Sequence, residues 1–458
     1  MAEQANVREQ LDGLYGLTDE LVRSVHDALE AGRVEEAARL AASLHAADLA
    51  DLVEQLPQNE RDLLLDGIKE VDADVFAHLD EHVREDVIDH MDAERVAEVV
   101  AELDSDDAVE LIEDLEADEQ REVLDAVPAE DRALLEDSLR YPEDSAGRVM
   151  RRELATVPSY WDVGQTIDHM RSGAELPDEF YVIFVVGPDH RPLGTVQLSR
   201  LLRAERPVQV TDIMDQDMRL LPATMDQEEV AFLFRQYGLV SAPVVDDTGR
   251  LIGAIDLDDV VDVIDEEAEE DILKLAGLRE DDFYDAVFDT TRARFSWLLV
   301  NLGTAIVASI VIGFFDAAIE KVVALAILMP IVASMGGNAG TQTLTVAVRA
   351  LAMKELTPAN AMRIVGKEVL VGGINGVLFA AVMGTVAWFW FGDMVIGAVI
   401  GAAMIVNLVL AGFAGVVIPL ALERMDIDPA VGSTVVLTTL TDVIGFFSFL
   451  GLAAWVLL

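Results

Sequence analysis

The sequence contains no cysteine, and only five of its 32 basic residues are lysines. The lack of cysteine excludes disulfide bonds, thiolate metal sites and cysteine nucleophiles. No histidine follows His190, so the C-terminal part of the chain offers no soft ligand, which argues against a Ni²⁺-selective site. The first ten residues are polar and charged rather than apolar, as a signal peptide would be. We therefore expect the N terminus to stay in the cytoplasm.

Negative charge is abundant and unevenly distributed, with a formal net charge of −52. Residues 292–458 hold nine acids and eight bases, which leaves 75 acids and 24 bases in residues 1–291. A part this acidic repels nucleic acid and suits divalent cations, so we expect no nucleic-acid partner. The acids occur on every helix face, which we interpret largely as a surface adapted to a high-salt cytoplasm. A surface acid is therefore no metal ligand merely because it is acidic.

Residues 1–140 are predicted to form an all-α superhelical domain, called the N domain below. Apolar residues recur at spacings of three and four in short segments such as Ala47–Pro57 and Arg95–Leu103, which is typical of amphipathic helices. His78 and His82 lie four residues apart and could share a helix face as metal ligands. Solvated histidines are the preferred interpretation, because no other motif in this domain indicates a site.

Residues 141–265 change character and contain an internal repeat. The segment Tyr181–Leu202 is echoed by Leu239–Val261, and each copy predicts a strand, a turn, a second strand and a helix. This α/β repeat resembles a tandem pair of cystathionine-β-synthase (CBS) regulatory modules. Such pairs often bind adenine nucleotides, so the resemblance implies ATP as a ligand. A charged stretch from Asp262 to Thr291 then predicts one long helix, of which 266–291 form a connecting helix.

Residues 292–458 are predicted to be a polytopic membrane domain of five transmembrane helices. Apolar segments lie near 296–315, 322–348, 369–391, 395–421 and 431–458. With the N terminus inside, seven basic residues flank the cytoplasmic ends of these segments and only Lys321 lies outside. The sequence therefore predicts a multi-pass protein of the cell membrane, in contact with lipid, whose C terminus is outside.

The second segment contains the run from Pro330 to Gln342, which is rich in glycine and amides. These residues weaken a helix and expose polar groups that lipid cannot satisfy. They are expected to face a protein interior or a wet cavity, where Gly337 and Asn338 offer oxygen ligands to a hydrated cation. A tight helix-packing motif is the alternative interpretation.

Asp442 is the only acid in the middle of an apolar segment, and no basic residue lies mid-membrane to pair with it. An ionised Asp at the bilayer centre costs roughly 2.5–3.5 kcal/mol, so it needs a partner or water. A passing cation is the preferred partner, and hydrogen bonding to neighbouring threonines is the alternative. In a homodimer two copies of Asp442 would ring one pore and hold a hydrated divalent ion such as Mg²⁺.

The membrane motifs resemble those of the MgtE magnesium channel family. The resemblance rests on Pro330-x5-Gly-Gly-Asn-x-Gly-x-Gln342, on Asp428-Pro-Ala430 and on Leu437-Thr-Thr-Leu-Thr-Asp442. The order of parts also matches, from the acidic helical domain through the CBS pair and connecting helix to five membrane helices. The resemblance therefore covers nearly the whole chain.

This resemblance implies a homodimeric Mg²⁺ channel that closes when its cytoplasmic acids bind Mg²⁺. Its pore acid falls on Asp442. Its regulatory metal-binding acids fall on Asp106 and Glu110 in the N domain, Glu228, Asp259 and Asp262 in the second CBS module, Glu270 and Asp271 in the connecting helix, and Asp428 in the last cytoplasmic loop. Mg²⁺ is thus both the expected cargo and the expected regulator.

Three other interpretations were weighed against a regulated Mg²⁺ importer. The same architecture could carry Co²⁺ or Mn²⁺, or serve as a sensor that conducts no ions. Intramembrane proteolysis is disfavoured, because a zinc protease needs a His-Glu-x-x-His helix and an aspartyl protease needs two membrane acids. The sequence therefore predicts a protein that is not an enzyme and has no catalytic residues.

Overall fold

A computed structural model describes residues 16–68, 71–172, 176–177, 180–278, 287–425 and 427–457. The chain divides into two compact units, Met1–Asp265 and Glu266–Leu458. The first unit contains the N domain and the CBS repeat. The second contains the apolar helices.

The described part of the N domain is built from short helices that each bury one apolar face. They are α1 (Asp19–Glu30), α2 (Val34–Ala41), α3 (Ala46–Glu54), α4 (Gln58–Gly67), α5 (Asp74–Ala77), α6 (Glu81–Ile88), α7 (Ala93–Val100), α8 (Ser105–Glu113), α9 (Ala117–Ala126) and α10 (Ala129–Ser138). Acids lie between successive helices because they cap them. The side chains of Asp80 and Asp92 accept backbone N–H groups at the starts of α6 and α7. Leu52 and Leu64 are fully buried, and each such burial stabilises the fold by roughly 1.5–3 kcal/mol. The predicted all-helical domain is confirmed.

The histidine pair of the N domain does not share a helix. His78 follows the end of α5, whereas His82 lies in the first turn of α6. His78 is also exposed. The idea of a metal site on one helix face is therefore wrong.

The CBS repeat forms two sheets of identical topology. Its elements are β1 (Thr156–Pro158), α11 (Val163–Met170), β2 (Val182–Val186), β3 (Pro192–Gln197), α12 (Leu198–Arg203), α13 (Val210–Ile213), β4 (Leu221–Pro222), α14 (Gln227–Tyr237), β5 (Ser241–Val245) and β6 (Leu251–Asp256). The sheet orders are β1-β2-β3 and β4-β5-β6, each with one parallel and one antiparallel pairing. The predicted repeat is therefore confirmed as a pair of modules.

The charged helix after β6 is shorter than the sequence predicts. Helix α15 spans Leu257–Ala276 and is followed by Gly277, whose φ of +73° suits glycine and ends the helix. Residues 279–286 lie outside the described residues, and the next helix begins at Val287. The prediction of one continuous helix to Thr291 is wrong, because Gly277 adopts a left-handed conformation inside it.

The described residues of the second unit form six further helices. They are α16 (Val287–Gly313), α17 (Asp316–Lys321), α18 (Ala324–Ala352), α19 (Ala361–Phe391), α20 (Met394–Glu423) and α21 (Ser433–Leu457). In the described part of the chain, five of them are long and apolar enough to cross a membrane, namely all but α17. The five predicted segments are thus confirmed as helices. Helix α20 has the most buried surface of the five, and α18, α19 and α21 pack against it.

Candidate cation sites

Helices α18 and α21 pack against each other and against α20, and glycines lie at these contacts. A Cβ on Gly336 would lie 2.2 Å from Nδ2 of Asn407, and Gly445 of α21 faces the same side chain. One turn further along α18, Gly340 faces Leu437 of α21. These glycines therefore allow α18, α20 and α21 to approach one another closely.

The glycine-rich run forms two faces of one uninterrupted helix. Gly336 and Gly340 are buried against α20 and α21, as the packing interpretation expects. A second face carries polar side chains that are exposed in the single chain: Ser334, Asn338, Thr341, Gln342 and Thr345. Nothing lies within 4 Å of a Cβ built on Gly337. The packing interpretation therefore applies to one face, and the cation interpretation of the other face stays a prediction.

Asp442 is partly exposed in the single chain, and the nearby threonines do not donate to it. The hydroxyls of Thr438, Thr439 and Thr441 all donate to backbone carbonyls of α21, at 2.6–3.0 Å for their shortest bonds. Each hydroxyl has one proton, which is thereby used. Among the described residues, Asp442 has no ion pair either. The threonine alternative therefore finds no support in the geometry.

In the first unit, Arg151 bridges acids of the N domain and of the second CBS module. Its guanidinium lies 3.1 Å from Asp104 and 2.9 Å from Asp106, at the start of α8. It also lies 2.8 Å from Asp259 and 3.6 Å from Asp258, at the start of α15. The structure thus brings the predicted residues Asp106 and Asp259 together, around a side chain that sequence reasoning missed.

The acids around Arg151 outnumber it. Asp104, Asp106 and Asp107 can place one oxygen each within 4.8 Å of one another, as metal ligands would. Burial raises the pKa of Asp107 to about 7 and that of Asp259 to about 6. Oδ1 of Asp106 is buried and has no hydrogen-bond partner. Protons or a further cation therefore have to compensate the charge that Arg151 leaves.

Glu110, the other predicted ligand of the N domain, pairs with an arginine as well. The side chain of Arg84 is 2% exposed and lies 2.6 Å from Glu110 and 2.6 Å from Asp114. Asp262 of α15 lies close enough for His78 of the N domain to lower its pKa, which burial raises. Glu228 is exposed in the first turn of α14. Oε1 of Glu110 is therefore held by the guanidinium of Arg84.

In the second unit, the predicted acids of α15 and of the last loop meet at a lysine. Lys274 pairs with Glu270 and lies 3.1 Å from Asp428. Burial, and then the negative charge of Asp428, raise the pKa of Asp271. The hydroxyl of Thr434 donates to the carbonyl of Leu275 at 3.0 Å, so α15 is also tied to the start of α21. These contacts bring Glu270, Asp271 and Asp428 together, and their regulatory role stays a prediction.

These sites contain residues that the sequence could not single out. The first 291 residues contain 75 acids and 24 bases, so the sequence does not distinguish one arginine or lysine from ordinary surface residues. Asn407 was missed because a single amide in an apolar helix carries no motif. It is 1% exposed and donates to the carbonyl of Val332 at 2.8 Å.

The chain is similar to known proteins along most of its length. Family descriptions match in three places: "MgtE: Divalent cation transporter" at 329–452, "MgtE intracellular N domain" at 44–144 and "CBS domain" at 210–266. The Magnesium transporter MgtE of Thermus thermophilus is 34% identical over 70% of this chain and 72% of its own length. That of Bacillus subtilis is 30% identical over 69% and 70%.

A solved structure is similar to the first part of the chain. It is the cytosolic domain of the Mg²⁺ channel MgtE in complex with ATP, 30% identical, with a TM-score of 0.49 and coverage of 53% of this chain and 99% of that one.

Five apolar helices, an acid in one of them that has no ion pair among the described residues, and an acidic N-terminal unit with two CBS modules are the features of a multi-pass cation transport protein. The matched relatives are named as transporters. The chain belongs to the MgtE family of divalent cation transporters.

Proposed function

We propose that this protein is a homodimeric channel that imports Mg²⁺ across the cell membrane and closes when cytoplasmic Mg²⁺ is high. Family membership supports Mg²⁺ transport in general, since the relatives are named magnesium transporters. The observation that carries the proposal is Asp442, a partly exposed membrane carboxylate with no ion pair among the described residues. A mobile cation would supply the positive charge that Asp442 lacks among the described residues.

A second copy of the chain would complete the pore. The polar face of α18 cannot be left to lipid, because unsatisfied polar groups in the bilayer cost several kcal/mol each. Water in a pore between two copies would solvate Ser334, Asn338 and Thr345 and would also reach Asp442. The pore site then consists of Asp442, Asn338 and the backbone at Gly337 from both copies.

The ligand chemistry favours Mg²⁺ entering the cell. Carboxylate, amide and carbonyl oxygens suit a hard cation that keeps much of its water shell. A divalent cation gains about 4.6 kcal/mol on crossing 100 mV towards a negative interior, so import needs no other energy source. This direction goes with an N terminus inside and a C terminus outside.

Feedback would use the clustered cytoplasmic acids. Mg²⁺ would bind among Asp106, Glu110, Glu228, Asp259 and Asp262 in the first unit, and among Glu270, Asp271 and Asp428 in the second. The excess of acids over bases near Arg151 supports such binding, as does the orphan oxygen of Asp106. Neutralising the charge of these acids would shift the conformational equilibrium of α15 and thereby that of the pore.

ATP is a further proposed ligand of the CBS pair. A cleft between the two modules is lined by residues of both, including Tyr181, Phe184, Ser241 and Asp256. An aromatic ring there would suit the adenine base of ATP, and a carboxylate would suit its ribose. One solved relative is described as a complex with ATP. Equilibrium dialysis of ATP with the full-length protein tests this point directly.

The test of the transport proposal is Mg²⁺ flux into liposomes that carry the purified full-length protein. Flux is measured at low and at high Mg²⁺ on the cytoplasmic face, for the wild type, for Asp442→Ala and for the control Asp316→Ala, which removes an exposed acid from α17. We expect flux to be lost in Asp442→Ala and kept in the control, and high cytoplasmic Mg²⁺ to suppress the wild type.

Each contrary result has a distinct meaning. No wild-type flux from folded, dimeric protein would contradict the channel and favour a sensor that conducts no ions. Flux of Co²⁺ or Mn²⁺ without flux of Mg²⁺ would keep the architecture and change the cargo. Flux that ignores cytoplasmic Mg²⁺ would contradict the feedback alone.

A further inference from the structure

Arg151 is anchored to the second CBS module through its backbone. Its N–H donates to the carbonyl of Ala254 at 2.8 Å, and the N–H of Ala254 donates back at 3.0 Å, so Arg151 continues the ladder of β6. Asp259 is fixed on the same side, since its carboxylate also accepts the N–H of Asp256 at 3.1 Å. The guanidinium therefore projects from a rigid base on the CBS side.

From that base the side chain reaches the N domain. Its Nε donates to Asp106 at 2.9 Å, and its Nη1 lies 3.1 Å from Asp104. The Arg151 side chain is only 17% exposed, and that of Asp106 only 7%. The pairs with Asp104 and Asp106 thus connect the CBS side to the N domain. The pair with Asp106 is largely withdrawn from water, where charge pairs are screened least.

The neighbouring residues hold the guanidinium in register. The N–H of Arg152 donates to the hydroxyl of Ser105 at 2.8 Å, and that hydroxyl donates to Glu153 at 2.8 Å. Arg152 also lies 2.8 Å from Asp137 at the end of α10. The segment 151–153 is therefore bound to the N domain by side chains and to β6 by its backbone.

We propose that Arg151 is a fixed cation that clamps the N domain onto the second CBS module, in the place where a divalent cation would otherwise have to bridge Asp106 and Asp259. The junction then stays closed when Mg²⁺ is withdrawn. A planar guanidinium with several donors fits this role, because it can serve carboxylates on both sides at once.

This inference removes the bridge between Asp106 and Asp259 from the Mg²⁺ sites of the proposed feedback, and it rests on that proposal only for its consequence. If Arg151 holds the N domain in place without metal, the Mg²⁺-dependent step lies elsewhere. The cluster of Glu270, Asp271 and Asp428 is the next set of acids along the chain. The N domain then acts as a fixed part of the CBS unit rather than as a Mg²⁺-driven arm.

The test measures the distance between the two domains in the full-length protein in lipid nanodiscs. The chain has no cysteine, so Ala117→Cys in the N domain and Leu202→Cys in the first CBS module, both exposed, can carry a pair of spin labels without background. Pulsed electron–electron resonance gives the distance distribution in EDTA and at rising Mg²⁺. The pair is placed in the wild type, in Arg151→Ala and in Arg95→Ala, whose arginine pairs only with Glu98 on the exposed surface of α7.

We expect one narrow distance in the wild type that is the same in EDTA and in Mg²⁺. In Arg151→Ala the closed fraction in EDTA falls roughly tenfold or more, because a buried acid cluster has lost its cation, and Mg²⁺ restores it. Arg95→Ala behaves as the wild type. Restoration by Mg²⁺ also shows that the variant is folded.

Three results would overturn the inference. A wild-type distance that broadens in EDTA and narrows with Mg²⁺ would show that Arg151 does not suffice, and it would leave the proposed feedback intact. An Arg151→Ala distance that stays narrow in EDTA would show that the clamp lies elsewhere. A distance in Arg151→Ala that stays broad at every Mg²⁺ concentration would show that a divalent cation cannot replace the guanidinium.

Discussion

The two units contain acids that are withdrawn from bulk water in opposite ways. In the first unit, Asp106 and Asp114 each lie within 3 Å of a guanidinium that is itself largely buried. In the second unit, Asp442 lies in a membrane helix and has no such partner among the described residues. Both arrangements remove a carboxylate from bulk water, yet only one of them supplies a cation from the chain.

We expect this difference to separate structural acids from those that bind mobile ions. A carboxylate with a fixed cation is part of a bridge, and removing the cation leaves a buried charge. A carboxylate in a membrane segment without one requires water or a passing cation. The cluster of Glu270, Asp271 and Asp428 stands between these cases, because it contains Lys274 but has three acids for that one base.

The largest predicted effect on stability comes from Arg84. Replacing Arg84 by Ala leaves Asp114 without its partner in the core of the N domain, which typically costs about 3–5 kcal/mol. Hydrogen exchange in the full-length protein should show a loss of protection of this size at the amides of α6 and α8. Arg95→Ala removes an exposed pair and should stay within about 1 kcal/mol of the wild type.

Unchanged protection against hydrogen exchange in Arg84→Ala would contradict the comparison between the acids of the two units. It would mean that the buried acids of the N domain are neutral in the native protein and need no cation.

The next effect distinguishes the two faces of α18. A methyl group on Gly336 would collide with Asn407, so Gly336→Ala should lower the stability of the membrane unit by about 1–3 kcal/mol. Gly337→Ala meets no neighbouring atom in the single chain and should leave the stability unchanged while reducing Mg²⁺ flux. Thermal unfolding of the detergent-solubilised protein and liposome flux measure the two properties separately. Equal destabilisation by both variants would contradict the assignment of one face to packing and the other to the ion path.

A smaller effect is expected at Lys274. Lys274→Gln removes the fixed positive charge next to Glu270 and Asp428, so the acids attract Mg²⁺ more strongly. The cytoplasmic Mg²⁺ concentration that halves the flux should fall roughly three- to tenfold, as expected for one partly exposed charge. Lys274→Arg keeps the charge and is the matched control. A shift to higher Mg²⁺ in Lys274→Gln would show that this lysine stabilises the closed state rather than competing with the ion.

Much of the architecture could be predicted because it follows from periodic patterns. Apolar spacing gave the short helices and the five long ones, and the repeated strand pattern gave the two modules. The end of α15 could not be predicted, since Gly277 is one residue in a charged stretch that otherwise favours a helix.

For each candidate site, the sequence indicated the acids and amides but not the residues that they contact. Motifs indicated Asp442, Asn338 and several cytoplasmic acids, because carboxylates and amides in unusual places stand out. Their partners did not, since contacts such as Arg151 with Asp259 join residues 108 positions apart. Which acid has a fixed cation depends on tertiary packing, and that property decides the role of each acid.

The most direct test compares Asp442→Asn with Asp106→Asn in one liposome flux assay at low cytoplasmic Mg²⁺. Each variant removes one negative charge, from an acid without a fixed cation in the first case and from an acid paired with Arg151 in the second. We predict that Asp442→Asn loses most of the flux, because the variant lacks the carboxylate that a passing cation needs as its partner, and that Asp106→Asn keeps wild-type flux. Equal flux in the two variants, whether high or low, would contradict the division between acids that bridge and acids that conduct.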